Sequence, residues 1–200
     1  MVDAVLDDYR EHLLAKDEQG RTAESAGPII WGQRLESSGI PDAWRSITYE
    51  KGAWIFHMLR RRLGDERFMK MLAELRKRYE FRNVTTEDLR SLAKEYLPPR
   101  TQASVIDTFF ENWVYATGIP SVKVKYSVKG AAPALRLSGS IAQSGVDDDF
   151  SADIPVEVQF ARGAPQTIWV RTSSDGGSFS ATLKSAPARV VIPNSVLAKK

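Results

Sequence analysis

The stretch GIPSVKVKYSV, residues 118–128, decides the fold. Val122, Val124, Tyr126 and Val128 occupy every second position, with lysines between the first three. Side chains of a strand point to alternate faces, so this spacing predicts a half-buried β-strand. Gly118 and Pro120 mark the break from what precedes it. Downstream, ALRLSGSI, IPVEVQFA, QTIWVRTS, GSFSATL and ARVVIP follow at turn-separated intervals. Evenly spaced short strands of this kind predict a small antiparallel β-sandwich over residues 121–200. SGVDDDFSAD is acidic and polar and is expected to be a loop outside the core.

Upstream the period changes. Val5, Leu6, Tyr9, Leu13 and Leu14 recur at helical spacing, and Gly20 to Gly27 ends that helix. GPIIWGQRLESSGIPDAW is rich in Gly and Pro and predicts a loop with at most a short helix. A helix is expected over about residues 50–63, with Ala53, Phe56, Leu59 and Leu63 on one face and Trp54, Ile55 and Met58 widening it. Gly64 suits its left-handed cap. Asp65 is expected to cap the next helix, whose stripe is Phe68, Leu72, Leu75 and Tyr79. Thr85 followed by Asp88 forms a capping-box pattern, with Leu89, Leu92, Ala93 and Tyr96 on the buried side until Pro98 and Pro99 stop the helix. Ile106, Phe109, Phe110 and Trp113 mark a final helix. Helices first and strands second predict an α+β fold by segregation, with domains 1–120 and 121–200.

Composition narrows the classes. The chain has 200 residues and no cysteine, so disulfides, thiolate metal sites and cysteine nucleophiles are excluded. No apolar run reaches the length a membrane helix needs, and the mixed, acidic start is not a signal peptide. Residues 1–120 carry a net charge of −1 and residues 121–200 a net charge of +4. Four surplus charges over so long a stretch, without clustered stacking aromatics, argue against a nucleic-acid partner. The sequence leaves the compartment open.

Tyr49 stands in SITYEKGAWIFHMLRRRLGD, residues 46–65, at the entry to an apolar helix. One reading is packing: an aromatic ahead of a helix staples its first turn. The other is catalytic: a neutral phenol in a cleft donates a hydrogen bond to a developing oxyanion. Gly52 likewise reads as a point of close approach for backbone or substrate, or as tight helix packing.

ITYEKGAWIFHMLRRRLGD resembles a segment of the zinc aminopeptidases of the aminopeptidase N type, the gluzincin peptidases. In that family a tyrosine followed by Glu-Lys-Gly-Ala opens a long buried helix ending in Leu-Gly. FMKMLAELRKRYEFRNVTTEDLRSLAKEY, IDTFFENWVYATGIPSVKVKY and GPIIWGQRLESS continue the resemblance in order and spacing. It implies the end of a gluzincin catalytic domain followed by the β-sandwich domain. It implies that Tyr49 stabilises the tetrahedral intermediate of peptide hydrolysis beside zinc.

The family's metal motif, His-Glu-x-x-His with a glutamate on the next helix, does not occur in this chain. The two histidines, His12 and His57, stand 45 positions apart, and neither is expected to be a ligand. His57 reads as a satisfied core histidine and His12 as an exposed one. Glu50 adjoins Tyr49 but is not assigned a catalytic role, because neighbouring positions do not share a helix face. Glu24, Glu36 and Asp42 show no spacing that pairs them, and Arg60, Arg61 and Arg62 read as a solvated or ion-paired face. The resemblance therefore implies zinc in a longer parent and none in this chain. The implied partners are the missing N-terminal lobe of the same enzyme and a peptide substrate, and alone the 200 residues are expected to be inactive. The alternative is a non-enzymatic scaffold or protein-binding module. The enzyme reading expects Tyr49 to be open with apolar surface nearby, and the module reading expects a closed helical core.

Overall fold

A computed structural model describes residues 2–199. Within them, six α-helical elements are followed by six strands in two small antiparallel sheets. The order is the segregated α+β arrangement that the sequence predicts. The chain divides into two compact units, Met1–Thr117 and Gly118–Lys200.

The helical unit opens with α1, Val2–Leu14, which buries Leu6, Arg10 and Leu13. Residues 28–45 hold more helix than their Gly and Pro content suggests. A 3-10 helix, Ile29–Ser38, runs through a kink at Gly32 (φ 55°, ψ −128°), and α2, Ala43–Arg45, follows. A π turn, Ser46–Lys51, then leads without a break into α3, Gly52–Leu63. The helix containing Tyr49 therefore begins before the tyrosine, earlier than expected.

The buried face of α3 also differs from expectation. Trp54, Ile55, Met58, Leu59 and Leu63 are buried, whereas Phe56 is 39% exposed. Gly64 ends the helix at φ 85°, ψ 152°, a positive φ outside the left-handed helical region. Asp65 is the first residue of α4, Asp65–Tyr79, and not its cap. Its carboxylate is taken by Arg60 Nε at 2.8 Å instead. That contact makes Arg60 an ion-paired surface group, as the arginine run suggests. Phe68 and Met71 are the buried residues of α4.

The capping box at Thr85 and Asp88 forms in full at the start of α5, Thr86–Glu95. The last helix, α6, Ser104–Trp113, buries Val105, Ile106, Phe110 and Trp113. Arg90 joins α5 to α6 through Asp107 at 2.8 Å, and Lys94 reaches the same carboxylate at 2.6 Å. No described helix is long and apolar enough to cross a membrane.

The β unit comprises β1 Ser121–Lys129, β2 Leu135–Ser144, β3 Ala152–Phe160, β4 Gln166–Thr172, β5 Gly177–Leu183 and β6 Pro187–Val191. One sheet has the order β1-β2-β5 and the other β4-β3-β6. In β1 the valines are half-buried and the lysines exposed, as alternation requires, but Tyr126 is exposed. It stands opposite Gly139. A side chain at Gly139 would meet the Phe179 ring at 2.4 Å, so the phenylalanine occupies the space that the glycine leaves. The core is apolar: Leu137, Ile141, Ile154, Val156, Val158, Leu183 and Leu197 are at most 1% exposed. Phe150, in the loop expected to lie outside the core, is 2% exposed. One apolar side chain among acidic neighbours is enough to anchor the loop, which a compositional reading overlooks.

Candidate functional site

The residues singled out around position 49 gather on the π turn. A four-residue spacing explains the geometry. Ile47, Lys51, Ile55, Leu59 and Leu63 recur every four positions, as do Ser46, Glu50, Trp54 and Met58. All nine are buried. On a regular α-helix each four-residue step drifts about 40° around the axis. A π turn winds less per residue and drifts the other way. Here the Gly52 N–H reaches back five residues to Ile47 O. One π turn thus keeps both rows in a single buried stripe, and Glu50 and Lys51 are carried into it.

Buried charges require partners, and Lys51 has them. Its ammonium is fully buried and meets Glu24 Oε1 at 3.0 Å, with Ala116 O at 3.4 Å. Glu24 lies on a 3-10 turn, Ala23–Ala26, that Thr22 and Ser25 close with reciprocal caps. Glu24 is thus part of a buried ion pair, where spacing suggests no pairing. Glu50 is 4% exposed. Its Oε1 lies 3.2 Å from His12 Nδ1 on α1, and its Oε2 is buried without a hydrogen-bond partner. His12 is exposed, as expected, and also lies 3.6 Å from Asp8.

Tyr49 falls outside the stripe and is 62% exposed. The packing-staple reading does not hold, since a stapling ring would be covered. Its ring meets Trp44 edge-to-face, with centroids 5.8 Å apart. Gly52 crowds nothing: an added Cβ would meet only Ile29 Cδ1 at 3.6 Å, an ordinary contact. Neither tight packing nor a close backbone approach within this chain accounts for the glycine. It lines an apolar groove of about 290 Å³ with Ile29, Ile55, Phe56, Leu89 and Phe110.

His57 is not the satisfied core histidine that its apolar run suggests. It is half-buried, edge-on to Trp54 at 6.0 Å, with Nε2 buried and unpaired. Burial, with Arg61 second, pushes its pKa below the ordinary value. Glu36 and Asp42 are exposed. No group of three or more His, Cys, Asp or Glu among the described residues is placed to hold a metal ion. Sequence reasoning misses Lys51, Arg10 and the burial of Glu50. Lys51 is detectable in principle, since it occupies the four-residue row of Ile47, Ile55 and Leu59.

A helical unit with an exposed tyrosine on a charge-pinned π turn precedes two small antiparallel sheets. The sequence pattern of the peptidase family M1 domain matches residues 4–113. The chain belongs to that family. Aminopeptidase M1-D of Oryza sativa subsp. japonica is 35% identical over 89 residues, which is 44% of this chain and 10% of the relative. Leukotriene A-4 hydrolase of Xenopus laevis is 27% identical over 123 residues, 60% of this chain and 20% of the relative. Aminopeptidase N of Lactococcus lactis is 31% identical over 80 residues, 40% of this chain and 9% of the relative. The chain thus spans between about a tenth and a fifth of these proteins. A crystal structure of Legionella pneumophila aminopeptidase A shares the fold, with TM-score 0.50 and 20% identity over 76% of this chain and 17% of that one.

Proposed function

We propose that the chain forms the C-terminal part of a zinc-dependent aminopeptidase's catalytic domain together with the β-sandwich that follows it. In this reading Tyr49 donates its phenolic hydrogen to the carbonyl oxygen of the scissile peptide as negative charge develops there. The carrying observation is that Tyr49, within the matched stretch, is open while its neighbours Glu50 and Lys51 are buried. A phenol suits the task because it stays protonated at neutral pH and donates from a rigid ring. In this reading the metal and the water-activating base belong to another part of a longer polypeptide.

The test is Tyr49→Phe in a peptidase-active polypeptide containing residues 1–200. The phenyl ring keeps the contact with Trp44 and loses only the donor. The expected result is a kcat lower by about 10²–10³ with KM little changed. An unchanged kcat overturns the assignment. A longer polypeptide with no peptidase activity under zinc, against a chelator control, favours the scaffold reading instead.

A further inference from the structure

We infer that Glu24 and Lys51 are positioning residues for Tyr49: their buried ion pair locks the π turn that presents the phenol. The inference rests on the reading of Tyr49 given above. Neither residue is placed to touch a substrate. Lys51 is fully buried and two positions from Tyr49, and its ammonium is held at 3.0 Å by Glu24 from one side and at 3.4 Å by Ala116 O from another. Those partners lie 27 and 65 positions away in sequence. Glu50 adds a third tie, to His12 on α1 at 3.2 Å. The turn is therefore fastened at two consecutive residues to three separate segments, while the exposed Tyr49 ring leans on Trp44.

A stability role alone does not call for an ion pair here. Apolar side chains fill a buried position as well or better, because desolvating two charges is costly. What the pair adds is direction. An ammonium between a carboxylate and a carbonyl is fixed in place by hydrogen-bond geometry, whereas a packed methionine slides. A π turn needs such fixing, since relaxation toward regular α-helix would rotate Tyr49 around the axis relative to α3. A catalytic donor displaced by about 1 Å can lose up to a hundredfold in rate.

The test replaces both charges at once with Glu24→Gln/Lys51→Met, which keeps volume and leaves no lone buried charge. In a peptidase-active polypeptide containing this chain, kcat is expected to fall roughly ten- to a hundredfold with KM within about threefold. Added to Tyr49→Phe, the same pair of changes is expected to cost nothing further, because there is no donor left to misplace. A loss that multiplies with that of Tyr49→Phe, or no loss in the double variant, overturns the inference. Tyr49→Phe with full activity instead overturns the reading beneath it.

The 200-residue chain provides a readout without activity. With fluorotyrosine incorporated, the Tyr49 signal, assigned through Tyr49→Phe, is expected to carry the ring-current shift of Trp44 and to lose it in the double variant. A double variant that melts cooperatively and has lost this shift supports the positioning role. One that melts cooperatively and retains the shift unchanged overturns it. A double variant that does not fold is replaced by Glu24→Gln alone, judged by the same signal.

Discussion

The two units treat charge in opposite ways. Among the described residues the helical unit buries Arg10, Glu24, Glu50 and Lys51, all under a tenth exposed. Among those of the β unit no charged side chain is buried, and Thr172 is the one buried polar residue. Thr172 sits in a closed set of contacts: its hydroxyl lies 2.6 Å from Gln143 Oε1, and Gln143 Nε2 donates to Phe150 O at 2.9 Å. Around Thr172 the β unit satisfies its buried polar groups locally, while Ser195 Oγ is buried without a hydrogen-bond partner. In the helical unit Thr48 Oγ1, Glu50 Oε2 and His57 Nε2 are buried without a hydrogen-bond partner, the first two on the turn that carries the exposed tyrosine.

This contrast can be broken by removing one group at a time. Lys51→Ala leaves Glu24 buried without its ammonium partner, and is expected to lower stability by roughly 3–5 kcal/mol, read by denaturant unfolding. A cost below about 1 kcal/mol would place Lys51 among surface ion pairs and erase the distinction. In the β unit, Thr172→Val keeps the shape and strands Gln143 Oε1, for an expected loss of about 1–3 kcal/mol by the same measurement. If Thr172→Val costs as much as Lys51→Ala, the two units handle burial alike.

Gly52→Ala sharpens the comparison from the stabilising side. Gly52 has helical φ and ψ of −56° and −45°, and an added Cβ meets only an ordinary contact. The substitution is expected to raise stability by about 0.4–1 kcal/mol. A loss would mean that something outside this chain's own contacts occupies the space beside Gly52.

The smallest effect concerns pH. Burial lowers the pKa of His57, with Arg61 and Arg60 acting the same way and Asp3 and Asp65 opposing them. At a pH between the folded value and the ordinary 6.5, the unfolded chain binds more protons than the folded one. The contribution is therefore complete above 6.5 and is lost as pH falls through the folded value. Thermal melting of His57→Leu is expected to show a weaker decline between about pH 7 and 5 than the parent chain. Parallel declines would show that His57 does not titrate in that window.

Much of this architecture is legible in the sequence. The Val122 to Val128 alternation, the Thr85 capping box and the Phe110 and Trp113 cluster are local patterns, and each produces its element. The π turn is not legible, because a bulge of one residue leaves no mark in composition and shifts the helix start away from Tyr49. The face of α3 escapes for the same reason: Phe56 belongs to the row that a regular helix would bury from residue 50 onward. His57 escapes because an apolar neighbourhood signals burial and says nothing about where an imidazole nitrogen finds a partner.

What the sequence determined by itself is the order of helices and strands, since periods of 3.6 and 2 are short-range properties of the chain. It also carried the resemblance that marks Tyr49. Only the tertiary structure decided that Tyr49 faces outward and that Lys51 meets Glu24. A hydrogen bond across 27 positions depends on how distant segments pack, and burial turns that distant pairing from optional to required.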